Sequence, residues 1–270
     1  ISVRLDFKEN VTIRNITNVS DLNNDDISDF LIFVSSKSGN KDIYVILGRK
    51  KNNFSNFINM ESDADIIFRN SQPGSLFGNA SVAEDVNGDG YNDILISAPE
   101  YEVEGKIVGK VYLIWGEPWT RNTQGTPIIY NLDAEDSNVT FYGNEHNFNI
   151  GFYLSNVEDI NRDGYGDFII EEDSPGQSGV IRYYLLLGKE RKEWKTKNIL
   201  TKDRYPSFTS QGENAEGQLI EYLGDIDRDG TGDILVGINN YDSIKLNSGK
   251  IYLLNGTTLK KVLLIDNLSK

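Results

Sequence analysis

Four oxygen-bearing side chains, Asp85, Asn87, Asp89 and Asp93, fall within the nine-residue run DVNGDGYND, and Gly90 sits where the backbone must turn sharply. Hard cations such as Ca²⁺ take this kind of set, in which carboxylate, amide and backbone carbonyl oxygens gather at ~2.3–2.6 Å. Without a cation, carboxylates drawn to within ~5 Å would repel by roughly 3 kcal/mol per pair at an effective dielectric of ~20. The pattern recurs at Asp159, Asn161, Asp163, Gly164 and Asp167, and again at Asp225, Asp227, Asp229, Gly230 and Asp233. A weaker copy holds Asp21, Asn23, Asp25 and Asp29, with Asp26 where the others have Gly. An EF-hand is excluded, because its loop needs a bidentate Glu at position 12 and Ile96 stands there. The plain alternative is a hairpin turn without metal, since Asp, Asn and Gly favour tight turns by themselves.

The elements around these runs decide how they are held. Each acidic run leads directly into an apolar stretch: Phe30 to Val34, Ile94 to Ser97, Phe168 to Ile170 and Ile234 to Val236. A variable loop and a second strand ending in Gly follow, at Gly48, Gly116, Gly188 and at Gly256 after Asn255. Outer strands are expected at Ile66 to Arg69, Val139 to Tyr142 and Pro206 to Thr209. The first positions of the four acidic runs step by 64, 74 and 66 residues, the mark of a repeat architecture. Short runs rich in Val, Ile, Tyr and Phe, separated by Gly and Asp, predict an all-β fold, and four strands per unit predict the blades of a β-propeller. The expectation is one domain over residues 1–270 with four four-stranded blades. Ser2 to Phe7 would serve as the outer strand that closes the last blade; part of a larger ring is the alternative. Only Lys189 to Lys197 has a helical period.

Composition narrows the chemistry. The chain of 270 residues has no cysteine, so disulfides and thiolate metal sites are out, and one histidine, His146, removes most triads and histidine-rich zinc sites. A net charge of −14 argues against nucleic acid and anionic membrane as partners. Four bound Ca²⁺ would bring that charge to about −6. No run approaches the ~18 apolar residues of a membrane span, so no membrane insertion is expected. The first residue is Ile1 rather than Met, compatible with a processed or trimmed product.

The repeats resemble the FG-GAP repeat of integrin α-chain propellers, especially their bacterial relatives. In the second unit the acidic run, Ser97-Ala98-Pro99, Gly109-Lys110-Val111-Tyr112 and Phe77-Gly78 match the pattern. The third unit has Gly151-Phe152, the fourth has Gly217-Gln218, and the first lacks both the FG and GAP elements. The resemblance implies three to four Ca²⁺, held in the hairpin loop between the first two strands of a blade. Carried over by position, the carbonyls of Ile27, Tyr91, Tyr165 and Thr231 would be backbone ligands beside the acidic and amide side chains. It also implies a protein or glycan ligand on the opposite face, formed here by residues 35–42, 69–77, 97–109, 143–150, 171–179, 210–217 and 237–249.

A calcium-stabilised, secreted or cell-surface adhesion or ligand-binding module without catalytic activity is therefore the leading expectation, with oligomeric state open. A carbohydrate-active propeller enzyme using Glu100, Glu171 or Glu172 as acid or base is the alternative, and a structural assembly module is the third. Trp115 reads as packing between blades, Trp119 and Trp194 as packing or sugar stacking, and Tyr101 and Tyr241 as surface contacts. His146 reads as an exposed loop residue. The Asn-x-Ser/Thr sequons are numerous in an Asn-rich chain, and no glycosylation is inferred from them.

Overall fold

β-Branched and aromatic residues dominate the strands, and acidic or glycine-rich turns separate them. The computed structural model describes residues 4–8, 10–37, 39–50, 57–70, 72, 75, 77–132, 136–144, 149–173, 180–211, 218–238, 250–256 and 258–259. His146 and Tyr241 lie outside them.

The first unit comprises β1 (Arg4–Asp6), β2 (Val11–Asn18), β3 (Phe30–Ser36), β4 (Lys41–Ile46), β5 (Phe57–Asn59) and β6 (Ile66–Asn70). The second has β7 (Asn79–Glu84), β8 (Asp93–Ala98), β9 (Glu102–Val103), β10 (Lys106–Ile107), β11 (Lys110–Ile114), β12 (Ile128–Asn131) and β13 (Val139–Tyr142). The third has β14 (Asn149–Asn156), β15 (Phe168–Asp173), β16 (Val180–Leu186), β17 (Lys197–Ile199) and β18 (Ser207–Gln211). The fourth has β19 (Gln218–Gly224), β20 (Asp233–Ile238) and β21 (Lys250–Leu254).

Successive units form successive antiparallel sheets in the orders β2-β3-β4-β6, β7-β8-β11-β13, β14-β15-β16-β18 and β19-β20-β21. This all-β layout fits the propeller class. Middle strands are buried on both faces, which explains their continuous apolar runs. Leu31, Phe33, Ile43 and Val45 pack toward the second sheet, whereas Ile32, Val34, Tyr44 and Ile46 pack on the other side. One apolar cluster fills each junction between neighbouring sheets. A fourth cluster covers the far face of the first sheet with Ile58, Met60, Leu5 and Phe7.

Short connector strands add a pairing that periodicity does not predict. β12 pairs in parallel with β6, and β17 with β13, so each connector strand joins the outer edge of the preceding sheet. β5 is the same connector in the first unit, and its parallel partner is β1. Arg4–Asp6, the strand expected to close the last blade, pairs in parallel with Phe57–Asn59, and no pairing of β1 with the fourth sheet occurs among the described residues. The connector Lys189 to Lys197 is also not helical beyond one 3-10 turn at Arg191–Glu193, since it must extend into β17 to reach β13. One α-helical turn, Met60–Asp63, follows β5 and is capped by Asn59, whose side chain accepts the Glu61 N–H.

Candidate metal centres

Each acidic run forms a hairpin between the first and second strands of its sheet, and the four hairpins share one hydrogen-bond frame. The residue before each first Asp has a positive φ: Ser20 at 59°, Glu84 at 56°, Glu158 at 52° and Gly224 at 72°. The sixth position also needs the left-handed region, which Gly90, Gly164 and Gly230 occupy at 90°, 93° and 89°. Asp26 adopts it too, at 65°, so the first hairpin keeps the turn at the cost of a side chain in a conformation that favours Gly.

The first Asp of each run caps the turn. Asp85 accepts from the backbone N–H groups of Gly88, Asp89 and Gly90 at 2.7–3.1 Å. Asp21, Asp159 and Asp225 likewise accept from the fifth and sixth N–H groups. The fifth-position carboxylates of Asp25, Asp89, Asp163 and Asp229 accept from the N–H groups of Ile27, Tyr91, Tyr165 and Thr231, the residues expected to offer backbone carbonyls.

The last Asp does something the spacing does not reveal. Asp29, Asp93, Asp167 and Asp233 are fully buried. Each accepts one N–H from the start of its own hairpin and one from the glycine that ends the third strand. For Asp93 the donors are Val86 at 3.0 Å and Gly116 at 2.7 Å. A Cβ at Gly116 would collide with the Asn92 carbonyl oxygen, which explains why the strand ends in glycine. Burial, with smaller repulsion from neighbouring carboxylates, pushes Asp93 and Asp167 up to about 8 and Asp29 to about 6. A divalent ion alongside would favour the charged form and reverse that tendency.

The remaining donor chemistry fits a hard cation. Carboxylate oxygens of Asp225, Asp227 and Asp229 lie within 4.8 Å of one another. Asn87 donates its amide to both oxygens of Asp93 at 3.1 Å, and its Oδ1 is buried without a hydrogen-bond partner among the described residues. Asn23 donates to Trp119 O at 3.0 Å and leaves Oδ1 in the same condition. In the third hairpin Asn161 turns both ends toward Asp163. Carboxylate oxygens that already accept one N–H retain a lone pair for an ion.

Among the described residues three arginines also face the hairpins, and no sequence spacing points to them. Arg121 pairs with Asp25, Arg162 with Asp225 at 2.7 Å, and Arg191 lies 3.7 Å from Asp89. Neighbouring hairpins are tied together as well: Asn92 Nδ2 donates to Asp21 O, Gly166 N to Asp85 O, and Gly232 N to Ile160 O.

The other candidates resolve into packing. Trp115 is buried against Trp194, while Trp194 stacks on Phe168. Trp119 is buried and donates to Tyr130 Oη. Tyr101, with Tyr112 and Tyr142, surrounds the buried Lys110 ammonium at 4.4–5.3 Å. Glu171 and Glu172 are adjacent on β15 and so point to opposite faces of the sheet. Glu172 accepts from Tyr184 Oη at 2.8 Å and lies 3.5 Å from Arg182. These two glutamates therefore do not form a catalytic pair. A cleft of about 560 Å³ beside the third hairpin is lined by residues that include Asp163, Trp194, Arg204 and Tyr205.

Residues 77–125, from the Phe77-Gly78 pair through the second hairpin and β11, match the FG-GAP repeat family. Beyond this one matched unit, the chain is similar in sequence to integrin α chains. It is 27% identical to integrin alpha-PS3 of Drosophila melanogaster over 183 residues, covering 67% of this chain and 15% of that protein. It is 29% identical to integrin alpha-IIb of Mus musculus over 171 residues, 62% of this chain and 15% of the relative. Similarity also extends to a phosphatidylinositol-glycan-specific phospholipase D of Dictyostelium discoideum, 29% identical over 231 residues, 75% of this chain and 23% of that protein. The chain thus spans only a small part of the relatives it matches. No helix among the described residues is long and apolar enough to cross a membrane.

Proposed function

We propose that residues 1–270 form a calcium-stabilised FG-GAP propeller domain, secreted or displayed at a cell surface, that binds a protein or glycan partner on the face opposite the acidic hairpins. The observation that carries this reading is the single hydrogen-bond frame built four times, joined by the Asp225, Asp227 and Asp229 cluster in the fourth turn and by the buried amide oxygens of Asn23 and Asn87, without a hydrogen-bond partner among the described residues, in the first two. Bound Ca²⁺ supplies positive charge that offsets the carboxylates. First-position aspartates close each turn, fifth-position aspartates orient the peptide that follows, and last-position aspartates fasten the hairpin to the third strand. The framework holds still so that loops on the other face can vary, which is where specificity on a shared scaffold resides.

Binding is favoured over catalysis because Glu171 and Glu172 diverge and Glu172 is engaged by Tyr184 and Arg182. Turnover of any member of a polysaccharide panel would overturn that preference. Elemental analysis of protein purified without chelator should find three to four Ca²⁺ per chain, and Asp89→Ala should lose about one; an unchanged count removes the second hairpin from the reading. A screen of glycans and matrix proteins, run with and without EDTA, tests the binding claim.

The reading extends to a four-bladed ring. β1 holds the place of an outer strand beyond the first sheet, and the fourth sheet has three strands among the described residues. Apolar side chains are exposed at both ends of the array, at Ile13 and Ile16 and at Leu219, Ile251 and Leu253. Solution scattering should show a closed disc, and an open arc or a larger assembly would refute four-blade closure.

A further inference from the structure

Among the described residues, the first hairpin differs from the second and third in what stands against its fifth-position carboxylate. Arg121, five residues beyond the Gly116 that ends β11, sets Nη2 on Asp25 Oδ2 and donates from Nε to Gly48 O at 2.6 Å. The other Asp25 oxygen accepts the Ile27 N–H, so both oxygens of this carboxylate are engaged. The segment carrying Arg121 is anchored: Trp119 is buried, and its carbonyl accepts the Asn23 amide of the same hairpin.

The comparable arginines are looser. Arg191 stands 3.7 Å from Asp89 with 55% of its side chain exposed, against 33% for Arg121. Arg162 is 60% exposed and reaches Asp225 at the first position instead of the fifth. A guanidinium cannot lose its charge at any ordinary pH and presents donors in a fixed fork. Held by Gly48 O on one side and Asp25 on the other, it supplies a permanent positive charge to the hairpin. A divalent ion at Asp25 would have to displace it and then sit beside a like charge.

We propose that Arg121 is the built-in cation of the first hairpin, standing in for the divalent ion so that this hairpin is calcium-independent while the other three bind Ca²⁺. This deepens the calcium reading and rests on it for the second, third and fourth hairpins. It also gives the first unit, which lacks the FG and GAP elements, a different role: it stays folded when calcium is withdrawn.

Bound calcium should be counted in the wild type, Asp89→Ala, Asp25→Asn and Arg121→Gln, and each protein melted in EDTA beside Arg191→Gln. Asp89→Ala should lose about one ion, Asp25→Asn none, and Arg121→Gln should gain about one. In EDTA, Arg121→Gln should melt below both the wild type and Arg191→Gln. Loss of an ion in Asp25→Asn, no gain in Arg121→Gln, or equal melting of the two arginine variants overturns the proposal. Should Arg121→Gln not fold, the Asp25→Asn count decides. A wild type without calcium sinks the broader reading instead, and the EDTA melting alone then decides the role of Arg121.

Discussion

Asp93, at the base of the second hairpin, and Glu171, in the third sheet, are both buried carboxyls pushed up to about 8 by burial. Their surroundings are opposite. Asp93 has two backbone N–H donors and the Asn87 amide, and Asp167 and Asp233 have their own pairs of backbone donors. Glu171 is 4% exposed, its Oε2 has no hydrogen-bond partner among the described residues, and Asp173 two positions along adds repulsion. The same burial therefore fastens a hairpin in one place and is a cost in the other. A buried charge is useful when donors surround it and a liability when they do not.

The largest expected effect breaks the favourable side of that contrast. Asp93→Ala leaves two backbone N–H groups and an amide without acceptors, and should destabilise the fold by roughly 3–5 kcal/mol in denaturant unfolding. Asp29→Ala should cost less, because Asn23 gives its amide to Trp119 O instead of the last Asp. Equal losses would mean that the amide contributes nothing.

On the unfavourable side, Glu171→Gln should stabilise. A carboxyl whose folded pKa lies above its unfolded value gives stability that is full below the unfolded value, here 4.5, and lost as pH rises through about 8. Wild-type stability should thus decline across pH 4.5 to 8 relative to Glu171→Gln. The variant should gain roughly 2–4 kcal/mol above pH 8 and about nothing near pH 4. Parallel pH profiles would show that burial does not raise the Glu171 carboxyl above its unfolded value.

The smallest effects concern the turn. A Cβ at Gly90 meets nothing within 4 Å, so Gly90→Ala isolates the cost of a side chain at φ 90°. That cost should be about 1–2 kcal/mol. Asp26→Gly, relieving the same strain in the first hairpin, should gain about 0.5–1 kcal/mol. Melting curves in EDTA would read both.

Much of the fold was legible because its unit repeats. The acidic runs and the apolar strands after them fixed the phase of the first three outer strands, which the structure places at Ile66–Asn70, Val139–Tyr142 and Ser207–Gln211. Connector strands were not legible. Phe57–Asn59, Ile128–Asn131 and Lys197–Ile199 are three or four residues long; the first pairs with the N-terminal strand about fifty residues earlier, and the other two pair with strands of the preceding unit.

Among site residues, the types at positions one, three and five announced oxygen chemistry. The last Asp read as one more ligand, because its bond to a glycine 19 to 23 residues away is visible only once the strands are paired. Arg121 left no local signal, since 96 residues separate it from Asp25. Only the turn of one unit against the next brings them together.

The bonds from Asn92 to Asp21 O, from Gly166 to Asp85 O and from Gly232 to Ile160 O each join a unit to its immediate neighbour. A load applied to the two chain ends would meet these joints one after another, so units should peel away singly from the terminal ones inward. Because the joints use backbone or amide groups at similar places, duplicating a unit would carry its own coupling with it, whereas lengthening either middle hairpin would break two.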